Sequence, residues 1–175
     1  MKSRLWVLVI VSALLASCGG AGAPEWKEFS PSGGDFSALM PGAPKETSSD
    51  IDTDVGAIKL HAYTLDTAGI AYSVQYCDYP ISVLAAGADV IVEGAVEGMV
   101  EGGKYTLVNK STISLGEFPG REVKLHMSSG DLLIWNRVYL AGARMYQVMA
   151  VVSKADETKS APDVSRFLDS FKILK

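Results

Sequence analysis

The sequence predicts an α+β domain, an antiparallel β-sheet of about five to seven strands covered by two main helices. Three observations lead there. Most of the chain beyond residue 56 alternates apolar and polar residues at the strand period, with turn-forming residues between the runs. One stretch, 82–102, switches to the helical period, and a second short helical stripe closes the chain. Strands and helices do not alternate one for one, so the parallel doubly wound pattern is absent.

The elements follow in order. Residues 26–29 and 35–40 read as short strands around the turn Ser30-Pro31-Ser32-Gly33-Gly34, and Pro41-Gly42-Ala43-Pro44 breaks the chain. Residues 45–55 are rich in Asp, Ser and Thr, which suits a loop or an exposed edge strand. Residues 57–66 and 69–79 form a predicted hairpin about Thr67-Ala68, stopped by Pro80. In 82–102, Val92, Val96 and Val100 repeat at four, with Ala88, Ala95 and Met99 beside them, and Gly102-Gly103 ends the helix. Strands are predicted at 105–115, 120–127, 131–140 and 144–153, with turns at Ser129-Gly130 and Ala141-Gly142. A closing helix starts near Ser160-Ala161-Pro162, its apolar stripe supplied by Val164, Phe167, Leu168 and Phe171.

The N-terminus carries an address. Lys2 and Arg4 form a basic head, residues 5–15 are almost wholly apolar, and small residues follow. That layout is a secretory signal peptide. The apolar run is about eleven residues, short of the roughly 20 that span a bilayer. The run ends Leu15-Ala16-Ser17-Cys18, which resembles the bacterial lipobox. The resemblance implies diacylglycerol on the Cys18 thiol, cleavage before it and anchoring of the mature chain by its acyl chains. The absence of Asp after that cysteine, where Gly19 stands, implies the outer membrane facing the periplasm in a Gram-negative host. The expected organisation is therefore a signal peptide over 1–17, a lipidated cysteine and flexible tether over 18–24, and a single domain over 25–175.

The chain has 16 basic and 20 acidic side chains, a net charge of −4. Losing Lys2 and Arg4 makes the mature chain more acidic still, which argues against nucleic acid as a partner. Of the two cysteines, Cys18 is committed to lipid, so Cys77 has no disulfide partner within the chain and reads as a small buried residue of a strand.

The order of elements resembles the PsbP-like or Mog-like α/β/α sandwich superfamily, in its bacterial lipoprotein branch (DcrB- or LpqN-like). The carrying residues are the run from Phe29 through Phe36 to Pro41-Gly42, then Pro119-Gly120-Arg121-Glu122, Arg144-Met145-Tyr146-Gln147-Val148, and Phe167-Leu168-Asp169-Ser170-Phe171. The resemblance implies the fold and carries over no catalytic residue. Function does not travel with fold.

Several constellations bear on function. Asp89, Glu93, Glu97 and Glu101 climb one side of the first helix at steps of four, although like charges so spaced repel. They read as a solvated outer face, a surface for a basic partner, or weak divalent-cation ligands. Gly87, Gly94, Gly98 and Gly102 share a side of the same helix. Glycine inside a helix costs about 1 kcal/mol against alanine, so Gly94 and Gly98 are expected to be buried against the sheet. If they face solvent instead, they mark a partner-facing surface. His61 and His126 have no ligand-type neighbour at metal spacing, and no cofactor or metal is expected. Tyr72, Tyr76, Tyr79, Tyr139 and Tyr146 lie in strands as sheet core or pocket lining, and Arg121 with Glu122 is expected to be a cross-strand ion pair.

The reading that follows is a membrane-anchored lipoprotein acting as a non-enzymatic binding or assembly module, with an envelope protein as partner. The alternative is a small-ligand-binding lipoprotein with a pocket between sheet and helix.

Overall fold

The computed structural model describes residues 24–53, 56–67, 69–101, 103–127 and 129–174. The segments expected to be a signal peptide (1–17) and a lipidated Cys18, and all but the end of the expected tether, lie outside the described residues. Ten strands and two helices follow one another as β1 (Lys27–Phe29), β2 (Phe36–Met40), β3 (Lys45–Thr53), β4 (Gly56–Asp66), β5 (Ile70–Asp78), α1 (Ala88–Glu101), β6 (Thr106–Leu115), β7 (Phe118–Met127), β8 (Leu132–Ala141), β9 (Arg144–Ser153), α2 (Glu157–Ser170) and β10 (Lys172–Ile173). The α+β antiparallel fold holds.

Seven strands form one sheet in the order β3-β4-β5-β9-β8-β7-β6, every pairing antiparallel. Strands β1, β2 and β10 form a small second sheet. Five of the six pairings in the large sheet join strands adjacent in sequence. The exception is β5–β9, because α1 carries the chain from β5 to the far edge, where β6 starts the return.

Alternation along the central strands separates two cores. On one side, Tyr72, Val74, Tyr139, Tyr146, Val148 and Ala150 meet β2 and the Val164, Phe167 and Leu168 stripe of α2. On the other, Val123, Leu125, Ile134, Val138 and Leu140 meet Ile91, Val92 and Val96 of α1. Strands β8 and β9 therefore carry buried side chains on both faces, while edge strand β6 is exposed along most of its length. Both helices cover the sheet, from opposite sides.

Four local expectations need correction. The first helix does not begin at residue 82: a 3-10 turn over Leu84–Ala86 precedes it, and Gly87, at φ +90°, lies in the join. Gly94 and Gly98 face solvent, and a Cβ added to either would meet nothing within 4 Å. The closing helix begins earlier than Ser160, so Pro162 lies in its second turn rather than its first, where its missing N–H leaves one intrahelical bond unmade and its ring crowds the carbonyl of residue 158. Arg121 and Glu122 do not pair with each other, because successive strand side chains point to opposite faces. Arg121 reaches α1, donating from Nε to Glu93 Oε2 (2.9 Å) and from Nη1 to Asp89 Oδ1 (3.2 Å). Glu122 lies on the other face and accepts from Arg137 Nε at 2.6 Å, while Arg137 Nη1 also holds Asp169 of α2 at 2.8 Å.

Candidate binding site

Helix α1 packs on β7 and β8, so the same face of β4, β5 and β9 has no comparable roof. The side chains there are smaller and more polar. Thr64 stands opposite Ser73, Gln75 opposite Gln147, and Met149 opposite Asn136. They form two linked groups. Thr64 Oγ1 and Ser73 Oγ are 3.2 Å apart, and Gln75 Nε2 donates to Ser73 Oγ at 3.4 Å. Asn136 Nδ2 donates to Gln147 Oε1 at 3.3 Å and lies 3.4 Å from Met99 Sδ. Asn136 is completely buried, and its Oδ1 accepts no hydrogen bond from the described residues.

Beside these amides is a cavity of about 260 Å³. Leu125 and Ile134 of the sheet, Met149 of β9 and Met99 from the last turns of α1 supply its apolar walls. Tyr105, just beyond the helix, and the amide residues Gln75, Asn136 and Gln147 complete the lining. The cavity exists because α1 buries Val92 and Val96 fully but Met99 and Val100 only in part, so its contact with the sheet loosens towards its end. Larger clefts, of about 490 Å³ at the β6–β7 turn and about 520 Å³ beside Pro41–Pro44, lie open on the surface.

Sequence reasoning missed these three amides. The signal was Asn136, which interrupts an otherwise apolar strand face of Ile134, Val138 and Leu140. A buried polar side chain among apolar ones is the informative exception in a core.

The acidic residues of α1 divide into two kinds. Glu93 is held by Lys110 and Arg121, whose hydrogen bonds lower its carboxyl pKa, and Asp89 shares Arg121. Glu97 and Glu101 are exposed. Glu93 thus fastens α1 to β6 and β7, while Asp89, although it touches Arg121, stays exposed with Glu97 and Glu101.

Cys77 is buried, and burial pushes its thiol up to about 11 with a smaller contribution from Asp78. It is a protonated packing residue at neutral pH. Among the tyrosines, Tyr72, Tyr76, Tyr139 and Tyr146 are core residues, and Tyr79 packs against the α1 side. His61 stacks on Tyr76 with ring centroids 4.7 Å apart. His126 Nε2 lies 2.7 Å from Asp131 Oδ1. Among the described residues no group of three or more His, Cys, Asp or Glu side chains is placed to hold a metal.

The chain is similar in structure to cyanobacterial PsbP (CyanoP) from Synechocystis sp. PCC 6803, with a TM-score of 0.59 at 13% identity, covering 91% of this chain and 98% of that one. That likeness shows a PsbP-like fold. A protein of unknown function from Pseudomonas aeruginosa, described as a putative regulator, aligns with a TM-score of 0.45 at 10% identity over 79% of this chain and 90% of that one. No protein-family model and no curated protein matches the sequence.

Proposed function

We propose that this protein is a lipid-anchored, non-enzymatic binding or assembly module of the bacterial cell envelope. The observation that carries the reading is the run Leu15-Ala16-Ser17-Cys18 behind a basic head and a short apolar segment. Two or more acyl chains give stable membrane attachment where one gives only marginal binding. The first strand begins at Lys27, so the tether after Cys18 reaches roughly 30 Å at full stretch. A domain so held works on what lies at the membrane surface. The exposed carboxylates of α1, Asp89, Glu97 and Glu101, are the candidate partner-facing groups, with Glu93 held by Lys110 and Arg121 beside them.

Palmitate labelling in a bacterial host tests the anchor. The full chain should incorporate label and fractionate with membranes, and Cys18→Ala should lose both the label and signal processing at that site. Label entering the Cys18→Ala chain would overturn this attachment point.

A further inference from the structure

Beside the cavity under the last turns of α1 stands a side-chain oxygen with no hydrogen-bond donor and almost no accessible surface. A buried acceptor without a donor costs about 1–3 kcal/mol, and native interiors hold few of them. Asn136 Oδ1 is such an acceptor, at a position whose strand neighbours on the same face are Ile134 and Val138. An aliphatic side chain there would continue that face. The carboxamide is held in place through its other end, by Gln147 Oε1 and against Met99 Sδ, which leaves its oxygen as the unused half.

We propose that this cavity binds a small uncharged molecule with an apolar body and an N–H or O–H donor, and that Asn136 Oδ1 receives the donor. No Asp, Glu, Lys or Arg lines the cavity, so an ionised ligand would be buried without a counter-charge, at high cost. The walls suit an apolar body: Leu125 and Ile134 are rigid, while Met99 and Met149 are flexible thioethers that adapt to an inserted shape. A volume of about 260 Å³ falls below the 300–1,000 Å³ of sites for drug-sized ligands, which limits the occupant to one or two rings. Entry to the cavity needs no unfolding, because Gln75, Met99, Gln147 and Met149 are each only partly buried at the rim. Asn136 is completely buried, however, so a donor reaches its Oδ1 only as the side chains around it shift. The proposal takes up the expected pocket between sheet and helix. It is independent of the Cys18 anchor, so either can fail without the other.

The test uses the full chain in detergent micelles with isotope-labelled methionine methyls. Two donor probes, indole and phenol, are titrated against their donorless counterparts, benzofuran and anisole. Saturable shifts are expected at Met99 and Met149, with none at Met40, which lies in the core on the opposite face of the sheet. At least one donor probe should bind about tenfold tighter than its counterpart, and Asn136→Leu should erase that preference while leaving the donorless affinity in place. Met99→Trp, which fills the void from its half-buried rim, should abolish binding even if Asn136→Leu fails to fold. Equal affinity for donor and donorless probes would show a void that water satisfies, and would overturn the proposal. So would the absence of a saturable shift from either donor up to about 5 mM.

Discussion

Arg144 is the residue on which the two sheets meet. Its Nε and Nη2 donate to both carboxylate oxygens of Asp78, at 2.6 and 2.8 Å. Its Nη1 reaches the Gly33 carbonyl at 2.8 Å and Asp35 at 2.9 Å, pinning the turn before β2, and the guanidinium lies over the Tyr76 ring. Those bonds hold the Asp78 carboxyl below its ordinary range, the Arg144 hydrogen bond being the largest cause. Because the folded pKa is depressed, this pair stabilises the fold above the ordinary carboxylate pKa. The contribution is lost as pH falls through the folded value. Asp78 is more than half exposed, so it amounts to about 1 kcal/mol or less at neutral pH. Asp78→Asn should therefore lower the urea midpoint at pH 7 and flatten its fall as pH drops below the ordinary carboxylate range. An acid limb as steep as that of the unmodified chain would refute the assignment.

At the scale of elements, helix α1 separates two uses of glycine. Gly94 and Gly98 sit on its outer side with open space where a Cβ would stand. Each lowers helix propensity with no packing gain, so Gly94→Ala and Gly98→Ala should each raise stability by about 0.5–1 kcal/mol. Gly120 of β7 is the opposite case. A Cβ there would lie 2.6 Å from the Val138 carbonyl oxygen and 2.6 Å from the Tyr139 ring. Since backbone cannot step aside, Gly120→Ala should cost about 1–3 kcal/mol. Thermal melts of the three variants check both claims, and a destabilised Gly98→Ala would return that glycine to a packing role.

The molecule as a whole is held by an aromatic cluster centred on Phe36 of the small sheet. Its ring lies within 6.5 Å, centroid to centroid, of Phe29, Tyr63, Tyr76, Tyr146 and Phe171. The small sheet, the large sheet and the end of α2 therefore share one core and should unfold together. Phe36→Ala should cost about 3–5 kcal/mol. In the unmodified chain, circular dichroism and tryptophan fluorescence should give coincident denaturant transitions. Separate transitions would mean that β1, β2 and β10 form an independent unit.

Nearly every long element was legible in the sequence, because period and turn chemistry are local properties. Val92 and Val96 declared the buried side of α1, and Gly130 and Gly142, at φ +91° and +60°, marked two hairpin turns. Cys77 read as a buried strand residue and is one. The short β10 carried no such signal, since two residues are too few to show a period. The candidate site was not legible for a related reason. Gln75, Asn136 and Gln147 come from three strands, and their meeting depends on β9 lying between β5 and β8. The sequence by itself determined the acidic balance and, each within a few consecutive residues, the strand and helix periods and the turns. Only the tertiary structure decided that Arg121 binds Glu93 rather than Glu122, that Gly94 and Gly98 face outward, and that an amide oxygen is left without a donor beneath α1. Those depend on which elements become neighbours, and pairing across the sheet brings together residues that no local pattern relates.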